Sequence, residues 1–192
     1  MISVIQGLSS RGEIVAILKV AQMGHPVLRQ IAEPVPPEII PTPAFQAFLQ
    51  DMLETMDEYD GAGLAAPQVH ESIRVVCLTI DESAGPEFWI NPVITPLTEA
   101  TQSGYEGCLS VTGLRARVAR YSRIHVSFLD HTGTEHALDL QGFPAVVAQH
   151  ECDHLDGVLY VDKAEPLTLA FVKEHQRWGP PESWITDEEL PN

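Results

Sequence analysis

The sequence predicts an α+β fold: a single domain of mostly antiparallel strands packed around a central helix that carries His-Glu-x-x-His, with a further C-terminal helix. Two observations predict it. Candidate strands cluster in mid-chain, with one long helix before them and another after, so the elements do not alternate as βαβ units would. The length of 192 residues, 44% of them hydrophobic, suits one globular domain with a sizeable core.

The first long helix is predicted after a proline-rich segment. Residues 34–43 are rich in proline, which supplies no backbone donor, so we expect an extended connector there. Apolar residues then recur at helical spacing, and Gly61 stands where this helix should end. The apolar positions are Phe45, Phe48, Leu49, Met52, Leu53 and Met56.

Five strands are predicted from apolar runs separated by Gly, Pro and Asp turns. They cover residues 73–80, 87–94, 115–120, 123–130 and 135–140. A second helix is expected over residues 144–155, where Gly157 stops it, and a last amphipathic helix over residues 166–178. We therefore predict one domain, residues 1–178, followed by an acidic and loosely held tail, residues 179–192.

Composition excludes several classes of protein. The chain has 27 Asp and Glu against 11 Lys and Arg, a net charge of −16, which argues against a DNA-binding protein because phosphate contacts need a basic face. No segment is predicted to span a membrane, and residues 14–21 are too weakly apolar for a secretory signal. The three cysteines include no Cys-x-x-Cys pair, which excludes a zinc ribbon or a thioredoxin-like redox site and favours a reducing cytosol or its organellar equivalent.

The most informative motif is His-Glu-Cys-Asp-His at residues 150–154. On a helix, positions i and i+4 lie about 40° apart, so His150 and His154 can reach one cation while Glu151 lies beside it as a candidate base. Cys152 should point away from the metal and pack in the core, as should Cys77 in its apolar strand. Two surface histidines and a glutamate on a polar helix would give the same pattern.

A catalytic tetrahedral site needs a third protein ligand. A metzincin would have a third histidine at position 160, but Tyr160 stands there, which excludes that class. A thermolysin-like peptidase would use a glutamate about twenty residues downstream, where Glu174 falls. Cys108 is the other candidate, because its thiolate would be a strong, soft donor. The helix motif alone leaves Glu174 and Cys108 both open.

A loop of small residues lies between the first helix and the next strand. Residues 61–68 read Gly-Ala-Gly-Leu-Ala-Ala-Pro-Gln, so a substrate backbone could approach closely and Gln68 could offer a carboxamide donor. A plain helix-ending turn would have the same composition. Residues 107–109, Gly-Cys-Leu, could likewise be a simple turn with a buried cysteine.

Together, three segments resemble the signatures of the peptide deformylases: G-x-G-L-A-A-P-Q at 61–68, E-G-C-L-S at 106–110, and Q-H-E-x-D-H-L-x-G at 149–157. The resemblance covers about residues 19–175. It implies one divalent metal ion per chain, held by the side chains of Cys108, His150 and His154. It suggests Fe²⁺ as the native ion, with Zn²⁺, Ni²⁺ or Co²⁺ able to replace it.

The resemblance also implies the reaction. Water activated by the metal would attack the formyl carbon of an N-terminal formylmethionine on a newly made polypeptide and release formate. Glu151 would act as general base and acid, while the Gln68 side chain and the Leu109 N–H would stabilise the oxyanion. The substrate would contact a further set of residues: Gly61, Ala62, Gly63, Gly107, Arg115, Val146 and Val147. Within this set the two valines would receive the methionine side chain, and Arg115 would lie near the entrance.

The same resemblance implies N-formylmethionyl nascent peptides as partners, transient contact with the ribosome, a monomer, and a bacterial-type cytoplasmic location. Any basic surface for the ribosome would lie around Arg115, Arg117, Arg120 and Arg123. Residues 112–113, Thr-Gly, depart from the family, which usually has proline there, at the rim of the substrate site. Rival interpretations are a thermolysin-like peptidase, a metal-binding relative without turnover, and an α+β domain without metal.

Overall fold

A computed structural model describes residues 5–8, 14–81 and 83–180. It confirms the predicted α+β fold, with mostly antiparallel strands around a central helix and a C-terminal helix. The strands are β1 (Ile5–Leu8), β2 (Ile14–Ile17), β3 (Gly63–Ala65), β4 (Val75–Leu78), β5 (Glu87–Pro96), β6 (Thr101–Cys108), β7 (Val111–Tyr121), β8 (Arg123–Leu129), β9 (Glu135–Gln141) and β10 (Ala170–Phe171). The α-helices are α1 (Pro43–Glu58), α2 (Phe143–Leu155) and α3 (Val172–Trp178).

The strands form three sheets in the described part of the chain. The largest has the order β3-β4-β5-β8-β9, the second β10-β7-β6, and β1 pairs with β2. Every pairing between these named strands is antiparallel. Helix α2 contacts strands of both larger sheets, and its apolar residues Ala145, Val147 and Ala148 are buried in the core with Trp89. The second predicted helix is therefore the central one.

The first predicted helix is confirmed, with a different ending. Thr42 caps α1, its Oγ1 accepting a hydrogen bond from the Phe45 N–H at 3.4 Å. The helix ends at Glu58, and Asp60, not Gly61, takes the left-handed conformation, with φ at +53°. The Gly61 N–H then donates a hydrogen bond to the Met56 carbonyl at 3.0 Å, which closes the turn after the helix.

All five predicted strands are present, as β4, β5, β7, β8 and β9, although β7 starts at Val111, before the predicted boundary. The prediction missed β1, β2, β3, β6 and β10. Strand β3 has three residues inside the small-residue loop, and β6 contains two glycines, so neither shows an apolar, β-branched run. Tertiary pairing, rather than local propensity, forms these strands.

The last predicted helix is shorter than expected: residues 166–171 lie outside α3. The Arg117 N–H of β7 donates to Thr168 Oγ1 at 3.0 Å, and β10 pairs with β7. These bonds replace the helical bonds that the segment would otherwise make. In the predicted tail, residues 181–192 lie outside the described residues. No helix in the described ranges combines the length and apolar character needed to cross a membrane.

Candidate metal centre

Helix α2 is fixed against β7 by a side chain next to the candidate ligands. Gln149 accepts a hydrogen bond from the Tyr121 N–H at 3.0 Å and donates to the Tyr121 carbonyl at 2.9 Å, so it extends the edge of that strand. The next residue is His150, and His154 follows one turn later. The rings of these two histidines lie 5.2 Å apart, and both are buried.

Strand β6 brings the cysteine to the histidines. The Sγ of Cys108 lies 3.2 Å from Nε2 of His154, and the donor atoms of Cys108, His150 and His154 all lie within 4.8 Å of one another. The β6–β7 register shifts between Glu106 and Cys108, where the ladder becomes irregular at the end of the strand. Within the described ranges, no other group of three such side chains comes together in this way.

The rival third ligand does not reach the centre. Glu174 lies on α3, where it accepts a hydrogen bond from the Trp178 indole at 3.1 Å. It is exposed and is not part of the ligand cluster. The cysteine alternative is therefore the one that the geometry favours. The other cysteines, Cys77 and Cys152, are free and buried, as predicted, and burial raises the pKa of both thiols.

A buried ion-pair network supports His150. Its Nδ1 lies 2.7 Å from Oε2 of Glu106, whose two oxygens accept hydrogen bonds from Arg120, each at 2.8 Å. Arg120 also pairs with Asp153, which in turn binds Lys163 at 2.6 Å. A carboxylate on the second ring nitrogen fixes the tautomer and orientation of a metal-binding histidine. Sequence analysis missed this network, although Glu106 stands in the same short Glu-Gly-Cys-Leu-Ser motif as Cys108.

The charges of the network follow from its geometry. Burial alone would raise the pKa of Glu106, but the hydrogen bonds from Arg120 and His150 outweigh it and lower this pKa to about 2. Burial would likewise lower the pKa of His150, but its hydrogen bonds to Cys108 and Glu106 raise it to about 10. Burial lowers the pKa of His154 well below its ordinary value, which favours the neutral ring.

Gln68 lies beside the cysteine. It is buried in a short 3₁₀ helix, Ala66–Val69, and its Oε1 accepts a hydrogen bond from the Ala65 N–H at 2.8 Å. Its Nε2 donates to Ser110 Oγ at 3.2 Å and to Cys108 Sγ at 3.5 Å. The carbonyl of the carboxamide is thus anchored, and its amino group faces the candidate centre.

Glu151 is 5% exposed, and its Oε2 has no hydrogen-bond partner in the described part of the chain. Burial is the main cause that raises the pKa of this carboxyl, to about 7. A buried carboxyl that titrates near neutral pH and lines a cleft can both accept and return a proton.

The centre opens into a cavity of about 870 Å³. Most residues predicted to contact substrate or oxyanion line it: Gly61, Ala62, Gly63, Gln68, Gly107, Leu109, Val146 and Val147. Cys108, His150 and Glu151 line it as well. The residues 112–113 that depart from the family signature form part of its rim, where Thr112 Oγ1 lies 2.7 Å from Gln22 Oε1.

Two predictions concern arginines of β7, and one of them is wrong. Arg115 is not among the residues that line the described cavity; its guanidinium lies 5.1 Å from the centre of the ring of Tyr105, which does line it, and its place near the substrate entrance stays a prediction. Arg120 does not belong to a basic surface, because it is 3% exposed and paired with Glu106 and Asp153. Both arginines lie on β7, but their partners, not their spacing, decide where they point.

The donor set fits a divalent metal ion. One thiolate and two imidazoles are ligands for soft or borderline first-row cations, and three protein ligands leave a coordination position for water or substrate. The Nδ1 atom of His150 is held by Glu106, which leaves its Nε2 for coordination. Thiol and imidazole ligands bind a cation in their deprotonated forms, so metal binding should release protons.

Fold and site together define a metal-dependent hydrolase. The family model for polypeptide deformylase matches residues 17–170. A peptide deformylase of Fusobacterium nucleatum subsp. nucleatum is 46% identical over 158 residues, which cover 81% of this chain and 88% of that relative. The chain therefore belongs to the polypeptide deformylase family.

Solved structures agree with this assignment. The crystal structure of peptide deformylase from Thermotoga maritima superposes with a TM-score of 0.74 at 37% identity, over 78% of this chain and 99% of that one. A class I type b peptide deformylase from Acinetobacter baumannii, crystallised with Met-Ala-Ser bound, has a TM-score of 0.72 at 34% identity, over 77% of this chain and 98% of that chain.

Proposed function

We propose that this enzyme removes the N-formyl group from the N-terminal formylmethionine of newly made polypeptides and releases formate. The observation that carries the proposal is the convergence of Cys108, His150 and His154 beside a buried carboxylate on one cavity. The Acinetobacter baumannii relative, whose structure holds the tripeptide Met-Ala-Ser, supports a peptide with an N-terminal methionine as the substrate class.

In this proposal Cys108, His150 and His154 hold one divalent ion, natively Fe²⁺, which Zn²⁺, Ni²⁺ or Co²⁺ can replace. When bound, the ion supplies Lewis acidity and lowers the pKa of water from about 15.7 towards neutrality. Glu106 keeps His150 oriented for this task. The thiolate also makes the site sensitive to oxidation when the ion is iron.

Glu151 is the general base and acid. Its buried carboxylate accepts a proton from the attacking water and later delivers it to the leaving nitrogen, so the product leaves as a free amine. A pKa near 7, raised by burial, suits both transfers at neutral pH. The unpartnered Oε2 is available for this role because it makes no hydrogen bond in the described part of the chain.

Gln68 Nε2 and the backbone N–H of Leu109 stabilise the charge that develops on the formyl oxygen. Each such donor is typically worth about 2.7–4 kcal/mol of transition-state stabilisation. The anchored Oε1 of Gln68 supports this role, because a fixed carboxamide needs little reorganisation during the reaction.

The peptide occupies the cavity beyond the centre. Val146 and Val147 receive the methionine side chain, while the backbone lies along residues 61–63 and Gly107, where small side chains permit a close approach. The partners are N-formylmethionyl nascent chains. The enzyme works as a monomer, in transient contact with the ribosome, in a bacterial-type cytoplasm.

Release of formate from formyl-Met-Ala-Ser by anaerobically prepared, Fe²⁺-loaded protein tests the proposal. Glu151→Ala should keep the metal but lose about 10²–10⁴-fold in rate, because general acid–base catalysis contributes about that much. Stoichiometric metal with no formate from the wild type would indicate a metal-binding relative without turnover. Cleavage of internal peptide bonds instead of the formyl group would indicate a peptidase.

A further inference from the structure

Gly63 makes an unusually close contact with Glu151. Gly63 begins β3, and Glu151 lies on α2, which packs against that strand. A Cβ atom added to Gly63 would lie 2.5 Å from Oε1, 2.6 Å from Cγ and 2.7 Å from Cδ of Glu151. The Glu151 side chain therefore occupies the space that a side chain at position 63 would need.

The contact distinguishes Gly63 from the other described glycines of the cavity. A Cβ on Gly61 would come no closer than 3.2 Å to another atom, one on Gly107 would meet only the Leu114 carbonyl at 3.8 Å, and one on Gly104 would meet nothing within 4 Å. The backbone of Gly63 is not left-handed, so φ does not exclude alanine there, and the three atoms nearest to the added Cβ all belong to Glu151.

Hydrogen bonding does not fix the whole Glu151 carboxylate. Its Oε2 has no partner in the described part of the chain, yet the side chain is 5% exposed. Packing must therefore help to hold it: the Gly63 backbone lies against the carboxylate, and both residues line the cavity. A methyl group at position 63 would displace the carboxylate from this place.

We propose that Gly63 is a positioning residue, whose lack of a side chain sets the place of the Glu151 carboxylate in the site. The inference rests on the proposed acid–base role of Glu151. It gives Gly63 a task separate from contact with the peptide backbone, and the two tasks predict different kinetics. A residue that only contacts substrate changes KM, whereas one that places the catalytic group changes kcat.

The kinetic test uses the metal-loaded full chain and formyl-Met-Ala-Ser. Gly63→Ala should lower kcat about 100-fold with KM within a few-fold of wild type, because a displacement of about 1 Å can cost that much. Metal content should stay at one ion per chain. Gly104→Ala, another strand glycine on the cavity, is the control and should keep kcat near wild type. A raised KM with unchanged kcat, or loss of the metal, would overturn the proposal.

A second test does not need activity. Gly63→Ala should lower the melting temperature in the wild-type background but not in Glu151→Ala, where the crowded side chain is absent. Equal losses in both backgrounds would show that the methyl group collides with something else and would refute the positioning role. If the wild type releases no formate, the proposed function fails, while this thermal comparison still decides whether Gly63 and Glu151 are coupled.

Discussion

Glu106 links the fold to the metal centre through one buried carboxylate. Both oxygens accept hydrogen bonds from Arg120, and Oε2 also contacts Nδ1 of His150. Removing one partner from a buried ion pair costs about 3–5 kcal/mol of stability, because the other charge stays buried without a partner. The same contact that stabilises the strands therefore orients a candidate ligand.

Glu106→Gln should weaken metal binding about 10–100-fold, since an amide holds the His150 ring less strongly than a carboxylate does. Competition with a chromophoric chelator measures this. Glu165→Gln serves as control, because Glu165 binds Ser103 and Arg117 rather than a ligand histidine. Equal affinities for wild type and Glu106→Gln would show that the carboxylate does not support the metal.

The lowered pKa of Glu106 also predicts a pH dependence of stability. Its ordinary value is 4.5 and its value in the fold is about 2, so the carboxylate stabilises the fold fully above pH 4.5. That stabilisation is lost as the pH falls from 4.5 towards 2. Denaturant unfolding of metal-free wild type and Glu106→Gln should therefore differ most at neutral pH and converge in acid. A constant difference across this window would contradict the assignment.

At the residue scale the sequence predicted the three candidate ligands and Glu151, because these residues stand in short motifs. It did not predict the partner of His150 or the place of Arg120. Strand alternation offered a signal that was missed: Ala116, Val118 and Arg120 share the buried face of β7. Arg115 could not be placed from sequence, because its contact with Tyr105 depends on the pairing of β6 with β7.

At the scale of elements, the turn after α2 is fixed by a glycine. Gly157 has φ at +71°, and a Cβ there would lie 2.9 Å from the backbone carbon of Arg29. This close approach packs the 3₁₀ helix Pro26–Arg29 against the end of the helix that carries the histidines. Gly157 is thus required both by its backbone conformation and by its neighbour.

Gly157→Ala should destabilise the protein by more than Gly133→Ala. Gly133 has φ at +84° but only ordinary contacts, at 3.8 Å from Ile40, so its replacement costs the left-handed backbone alone, about 1–2 kcal/mol. Gly157→Ala adds overpacking against a backbone, about 1–3 kcal/mol more. Free energies of unfolding in denaturant measure both. Equal losses of stability in the two variants would show that the close contact of Gly157 with Arg29 adds no packing cost.

Elements with a strong local pattern were the predictable ones. Helix α1 has a cap, a proline at its start and a regular apolar face, and α2 has an apolar body that Gly157 ends. Strands β3, β6 and β10 have no such pattern and depend on pairing with a neighbouring strand, which for β10 is β7, more than fifty residues earlier in the chain. The segment before α3 reads as helix locally, but bonds to β7 prevail.

For the whole molecule, the proposed division places the domain in residues 1–178. The family model matches residues 17–170, so residues 181–192 lie beyond the part of the chain that is shared with the family. A chain ended at Pro180 should therefore keep the melting temperature and the formate-release rate of the full chain. Differential scanning calorimetry and the formate assay check this. A substantial drop in either would show that residues 181–192 contribute to the fold or the site.

In the proposed metal centre, strand β6 and helix α2 bring one sulfur and two ring nitrogens close enough to bind a single cation. X-ray absorption at the metal edge of Zn²⁺-loaded protein tests this most directly. We predict one sulfur at about 2.3 Å and two nitrogens at about 2.0–2.1 Å, with the sulfur lost in Cys108→Ser. A shell of nitrogen and oxygen alone, unchanged by that substitution, would contradict the account.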